Sequence, residues 1–247
     1  MTGELEMPVL GVQQLGLVAA GRVLVHELSF EVRAGERWCV IGRNAAGKST
    51  LLRALAGLPV PLQSGRITLQ GDAAALCDAQ RAATLRAYLP QQAQDRFELT
   101  VHEWLQLHRR APEAPAAQDA LLAALDVATL QERPVTRLSG GERQRVGLAG
   151  VALQDAPLWL LDEPVSFQDP AHQRAVAHWL RAQATRAMVL SAHDLGWVQQ
   201  VATHVIALMD GGAWQAGAVD EVLSAQTLQA TYGCAWQCVQ GRWLIQD

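Results

Sequence analysis

The sequence predicts an α/β fold with a mainly parallel core sheet, an N-terminal antiparallel β part and an inserted α-helical subdomain. Three observations predict it. The stretch Gly42-Arg-Asn-Ala-Ala-Gly-Lys-Ser-Thr50 fits G-x-x-x-x-G-K-[ST], and it lies between the apolar run Trp38–Ile41 and the helical pattern Thr50–Ala56. Downstream, the short apolar runs Leu158–Leu161, Ala187–His193 and Val205–Met209 are bounded by turns and separated by helical stretches, as buried parallel strands are. Upstream, residues Val9 to Val32 alternate loosely about Gly21, which points to antiparallel strands.

Composition narrows the classes. A chain of 247 residues, 50% hydrophobic, can bury a core but is short for two full domains, so one domain over 1–247 is expected. The formal net charge of −4 gives no global basic field, and nucleic acid is not an expected partner. No run reaches the ~18 apolar residues of a membrane span, and Met1–Pro8 lacks the basic start and apolar core of a signal peptide, so a cytoplasmic protein is expected. Cys39, Cys77, Cys234 and Cys238 lack the paired short spacings of a disulfide framework or zinc site, and reduced thiols are expected. His102-Glu103 begins like H-E-x-x-H, but position 106 is Gln, and no metal site is read there.

The elements follow in order. The helix that opens at Ser49 should stop near Gly57, ahead of Pro59 and Pro61. Gly65–Gly71 alternates as a strand, Asp78–Leu85 reads as a short helix, and Arg86–Leu89 as a strand ending at Pro90-Gln91-Gln92. From about Thr100 to Gln131 the pattern is helical, with Val101, Trp104, Leu105 and His108 on one face and Leu121, Leu122 and Leu125 on another. Ala111–Ala117 reads as a linker between them, and residues 92–137 as the inserted subdomain. A second Gly-rich turn at Leu138, Ser139, Gly140, Gly141 and Glu142 opens a helix to about Leu153. Residues 234–247, about Gly241, read as a C-terminal hairpin.

The chemistry lies in these turns. Gly42 and Gly47 let the backbone come close to a polyphosphate, so that N–H groups along Arg43, Asn44, Ala45 and Ala46 converge on it at the positive end of the following helix. Lys48 adds a point charge, and the hydroxyl of Ser49, followed by Thr50, is placed to ligate Mg²⁺. Asp162 and Glu163 follow an apolar strand and so reach the carboxyl edge of a parallel sheet, where ligands of such folds bind. Their side chains should face opposite ways, Asp162 toward the Mg²⁺ shell and Glu163 toward an attacking water. His193, read as a strand end, can hydrogen-bond a phosphate oxygen, and the Gln91 amide can ligate Mg²⁺ or orient water.

Taken together, these motifs resemble the nucleotide-binding subunit of an ATP-binding cassette (ABC) transporter along essentially the whole chain. Gly42–Thr50 looks like the Walker A loop, Gln91 the Q-loop, Leu138–Gln144 the LSGGQ-type signature, Leu158–Asp162 Walker B, Glu163 the catalytic glutamate, Ser166–Asp169 the D-loop and His193 the H-loop. The resemblance implies an ATPase that uses ATP and Mg²⁺ and pairs head to tail as a homodimer. Ser139 and Gly141 of one chain would then close on the phosphate held by Lys48 of the other, with Asp169 at the contact. It further implies polytopic membrane permease partners, an indirect substrate-binding protein, and a place on the cytoplasmic face of the membrane. Three departures stand out: Ala19 where the family carries an aromatic for adenine, Ala45 where it commonly has glycine, and Gln168 where leucine is usual.

The stretch after His193 is too short for the regulatory domain that sugar importers append. Arg86–Gln91, Thr100–Leu105 and Ala230–Gly233 look like the metal-chelate import group, which takes cobalamin, haem and iron-siderophores, with cobalamin the nearest. The alternative reading is a soluble ABC ATPase of iron–sulfur assembly or DNA repair. A regulatory module without hydrolysis would be expected to lose Lys48 or Glu163, and both are present.

Overall fold

The structure is a computed structural model that describes residues 7–60, 62–92, 97–110 and 115–246. Strand β1 (Leu10–Ala19) turns into β2 (Arg22–Val32) through Ala20 and Gly21, at φ 48° and 74°. Positive φ at both central residues gives the hairpin turn whose twist matches that of its strands. Then come β3 (Arg37–Ile41), α1 (Lys48–Leu55) and β4 (Leu62–Leu69), which pairs with the free edge of β1 to complete an antiparallel sheet of order β2-β1-β4. Helix α2 (Ala79–Leu85), capped by the Asp78 carboxylate, leads into β5 (Arg86–Leu89).

Helices α3 (Val101–His108) and α4 (Pro115–Ala124) precede α5 (Gly140–Leu153). The α3 start is closed by a capping box between Thr100 and Glu103. Val101, Leu105, Leu122 and Leu125 are buried on α5 and the sheet, while Trp104 stacks on His108 and under Arg143. Helix α4 takes in the last three residues of the expected Ala111–Ala117 linker, because proline is well tolerated in a first helical turn and alanines follow it. Residues 1–6, 61, 93–96, 111–114 and 247 lie outside the described residues, and with them Pro61, the expected leaderless start and parts of the expected insertion.

The rest alternates: β6 (Leu158–Leu161), α6 (Pro170–Ala182), β7 (Ala187–Ser191), α7 (Leu195–Val201), β8 (His204–Leu208), β9 (Trp214–Ala218), α8 (Val219–Val222) and α9 (Ala225–Tyr232). A last hairpin joins β10 (Trp236–Val239) to β11 (Arg242–Ile245). The main sheet runs β5-β6-β7-β3-β8-β9, parallel except for β9. Its inner strands are buried on both faces, and alternate residues serve two cores. Cys39, Ile41, Leu161 and Leu190 pack with α3 to α7, whereas Trp38, Val40, Leu160 and Val189 pack with α1 and the antiparallel sheet. Burial pushes the Cys39 thiol up to about 12, so it stays protonated and acts as a small apolar group.

Because the strands are parallel and in register, Leu89 beside Leu161, Leu161 beside Leu190 and Val40 beside Ser191, their carboxyl ends form one edge. The turns that leave it carry the loop after Ile41, Gln91, Asp162, Glu163 and His193. One expectation shifts here: β7 ends at Ser191, and His193 stands two residues beyond it in the turn before α7. Among the described residues no helix is long and apolar enough to cross a membrane.

Candidate active site

The loop from β3 to α1 is shaped for an anion. Gly47, at φ 104°, is the residue before the helix, and a Cβ there would lie 3.0 Å from Leu24 of β2. Glycine therefore meets two demands at once, the left-handed backbone and the close approach of the hairpin. Ala45 holds φ 61° without being glycine. A left-handed conformation costs an L-residue roughly 1–2 kcal/mol, so the departure noted at this position is accommodated as local strain.

Lys48 is 6% exposed, and its Nζ donates to the carbonyls of Gly42 at 2.8 Å and Arg43 at 3.0 Å. Burial pulls its ammonium below the usual lysine value, while the charges of Glu163 and Asp162 pull it back up. A cation is thus folded over the loop, within reach of the charges of the two carboxylates that follow β6. Arg43 turns away and pairs with Asp210 at 3.4 Å.

The carboxylates point different ways. Asp162 is 2% exposed, and its Oδ1 accepts the Ser191 hydroxyl at 2.5 Å. Glu163 takes φ 50°, which breaks the extended run. Every polar group of Glu163 has a partner: its N–H donates to Ser191 Oγ at 2.9 Å, its carbonyl accepts from Gln144 Nε2 at 3.0 Å, Oε2 accepts from Ser166 Oγ at 2.8 Å, and Oε1 faces His193 Nε2. These bonds hold the strained backbone of Glu163 in place.

Ser191 ties both carboxylate residues together, and the motif reading did not include it. Ser191→Ala should leave the Asp162 carboxylate and the Glu163 N–H each short of a partner, costing about 1–3 kcal/mol of stability. Urea unfolding checks this, and kcat for ATP should fall about tenfold with little change in KM, a positioning loss of about one hydrogen bond.

Asn44, Ala45, Gly47, Lys48, Ser49, Thr50, Gln91, Glu163 and His193 line a single cleft of about 600 Å³. That volume suits a small-molecule ligand. Its far wall is the β1–β2 hairpin, through Ala19, Ala20, Arg22 and Leu24. Among the described residues no Phe, Tyr or Trp lines it; Arg22 is the cross-strand partner of Ala19 and brings a planar guanidinium to the same wall. Arg22 and Ser191 were not among the residues read as the site, while Gln144 and Ser166 entered only as the end of the signature and the start of the D-loop. Only Ser191 carried a local signal, a polar residue closing an otherwise apolar strand.

The second Gly-rich turn lies elsewhere: none of Leu138, Ser139, Gly140, Gly141 and Glu142 lines the cleft. It forms a capping box, in which Ser139 Oγ accepts the Glu142 N–H at 3.3 Å and Glu142 accepts the Ser139 N–H at 2.8 Å. The Ser139 backbone bond, with further bonds from the Ser139 hydroxyl and Arg133, holds the Glu142 carboxyl below the usual carboxylate range. A Cβ on Gly141 would fall 2.8 Å from the carbonyl of Phe167, so glycine lets the loop from Glu163 to Asp169 lie on this turn. Asp169 caps α6, accepting the His172 N–H at 2.9 Å.

A glycine-built turn at a helix start, a buried acidic strand end and a separate Gly-rich helix start thus occupy one chain. Residues 25–166 match the profile of the ABC transporter family. The chain belongs to that family. It is 39% identical over 221 residues to a hemin import ATP-binding protein of Streptomyces coelicolor, covering 86% of this chain and 79% of that protein. It is 35% identical over 233 residues to a cobalamin import ATP-binding protein of Halobacterium salinarum, covering 90% of this chain but spanning only 58% of that protein's length. A solved ATP-binding subunit of an ABC transporter shares the fold, with a TM-score of 0.77 at 24% identity over 91% of this chain and 95% of that one. The cassette is an ATP-binding ATPase of this family. Residues 42–50, Gln91, the second Gly-rich turn, Asp162 and Glu163 fall within the matched residues, while Asp169 and His193 lie beyond them.

Proposed function

We propose that the cassette binds Mg²⁺-ATP in the cleft, hydrolyses it, and thereby powers an importer of a metal chelate. The observation that carries this is the convergence of Lys48, Ser49, Gln91, Glu163 and His193 on one cleft, in a chain similar to import ATPases. Lys48 and the loop amides hold the β- and γ-phosphates, and the nucleoside lies toward the hairpin, where the Arg22 guanidinium offers a stacking plane in place of a ring. Glu163 polarises the attacking water once His193 releases its carboxylate oxygen, and His193 is then free for a phosphate oxygen.

The donor set fits Mg²⁺. Ser49 and Gln91 present hard oxygens in the cleft, and Asp162 is a buried carboxylate beside it, held in place by Ser191. Mg²⁺ binds through one or two carboxylates and substrate phosphates, with no need of a dedicated protein cage. Bound there, it would neutralise charge on the transferring phosphate.

Since the turn at Leu138–Glu142 is outside its own cleft, its helix N-terminus serves the nucleotide of a second cassette in a head-to-tail homodimer. Polytopic permease subunits meet the helical insertion on the cytoplasmic face of the membrane, and a substrate-binding protein supplies the cargo. The relatives named for hemin and for cobalamin stand close in identity. The class, with cobalamin, haem and iron-siderophores as members, is therefore what is proposed. A tagged chain pulled down from mild-detergent membranes should bring a polytopic permease, whose binding protein can be titrated with each chelate. Recovery of soluble proteins alone would favour the soluble-ATPase alternative.

A further inference from the structure

Outside the cleft, a histidine sits between two carboxylates. His172 Nδ1 lies 2.8 Å from Asp169 Oδ2, and its Nε2 lies 3.2 Å from Asp126 Oδ2. Among the described residues the further charged group at this place is Arg145 of α5, whose Nη2 is 3.5 Å from the same Asp126 oxygen. Asp126 stands in the turn after α4 and Asp169 closes the loop that begins at Glu163. The three side chains therefore link the helical insertion to the loop of the catalytic carboxylate.

Chemistry decides which form of His172 makes this link. A neutral imidazole has one N–H and one lone pair, so it can donate to only one carboxylate and turns a lone pair toward the other; the imidazolium donates to both. The loop it holds needs support. Glu163 and Phe167 both take left-handed φ, 50° and 63°, and Ser166, within the same loop, donates to the Glu163 carboxylate. We propose that His172 is a positioning residue that, as the imidazolium, clasps Asp169 to Asp126 and so sets the Glu163–Asp169 loop for hydrolysis.

The clasp rests on the ATPase reading but concerns residues that touch no nucleotide. Bonds from Asp169, then Asp126, raise the His172 value above that of ordinary histidine, against partial desolvation and the Arg145 charge. The sign follows: the clasp is complete below the ordinary value and loses its second bond as pH rises through the raised one. Asp126, further away and still paired with Arg145, is the partner released.

Rates of three proteins and one titration test this. Wild-type kcat for ATP should exceed that of His172→Gln by about threefold at pH 6, a modest share of one hydrogen bond, and converge on it by about pH 9. His172→Arg, a permanent planar cation, should keep the higher rate across that range, and KM for ATP should be alike in all three. Independently of turnover, the His172 imidazole resonance should titrate above ~6.5 and move toward it in Asp126→Asn. A constant wild-type to His172→Gln ratio across pH, or a His172 titration at or below the ordinary value, overturns the proposal. A wild-type chain that does not hydrolyse ATP would instead overturn the ATPase reading, and the resonance titration would still judge the clasp.

Discussion

Glu163→Gln is expected to slow ATP hydrolysis by about 10³-fold while leaving ATP bound, because it removes a proton acceptor and little else. The backbone bonds of residue 163, from its N–H to Ser191 and to its carbonyl from Gln144, do not involve the side chain. The left-handed turn should therefore persist. A glutamine of the same length retains one oxygen for the Ser166 hydroxyl and offers an amide where a carboxylate faces His193. Phosphate release under saturating Mg²⁺-ATP gives the rate, and nucleotide retained after gel filtration gives the bound state. Hydrolysis at the wild-type rate would remove Glu163 from its role.

Lys48→Ala should weaken ATP binding by about a hundredfold, since it deletes a charged donor aimed at the phosphates, worth about 1.5–3 kcal/mol per bond. The effect on folding should be small. Lys48 is a desolvated ammonium whose two bonds go to loop carbonyls beside an open cleft, where water can replace it. Calorimetric titration with ATP should show the loss, with Tm within a few degrees of wild type. Unchanged affinity would mean that the phosphates lie elsewhere, and a large fall in Tm would mean that Lys48 chiefly braces the loop.

Local chemistry was legible in the sequence. Gly42–Thr50 announces its turn because only a few residues tolerate the required backbone, and the runs at Leu158 and Ala187 announce buried strands because both faces need apolar side chains. Together they place Lys48, Glu163 and His193 at one sheet edge.

Contacts between distant elements were not legible. Ser191 reaches Asp162 across 29 positions and His172 reaches Asp126 across 46, and neither pairing leaves a periodic trace. Arg22 joins the cleft only because a two-residue turn sets it opposite Ala19. Strand β9, Trp-Gln-Ala-Gly-Ala, is an edge strand with a glycine and two alanines, too weak in β-formers to stand out. The extension of α4 back to Pro115 was hidden because proline reads as a breaker until the helix behind it is known.

Under the proposed function each cassette holds ATP in its own cleft and closes on the nucleotide of another through the turn at Leu138–Glu142. Light scattering on Glu163→Gln tests it most directly. The expected result is the mass of one chain without nucleotide or with ADP and of two chains with Mg²⁺-ATP, carrying two ATP per pair, with Ser139→Arg abolishing the pairing but not ATP binding. A single-chain mass at saturating Mg²⁺-ATP, with ATP shown to be bound, would contradict it.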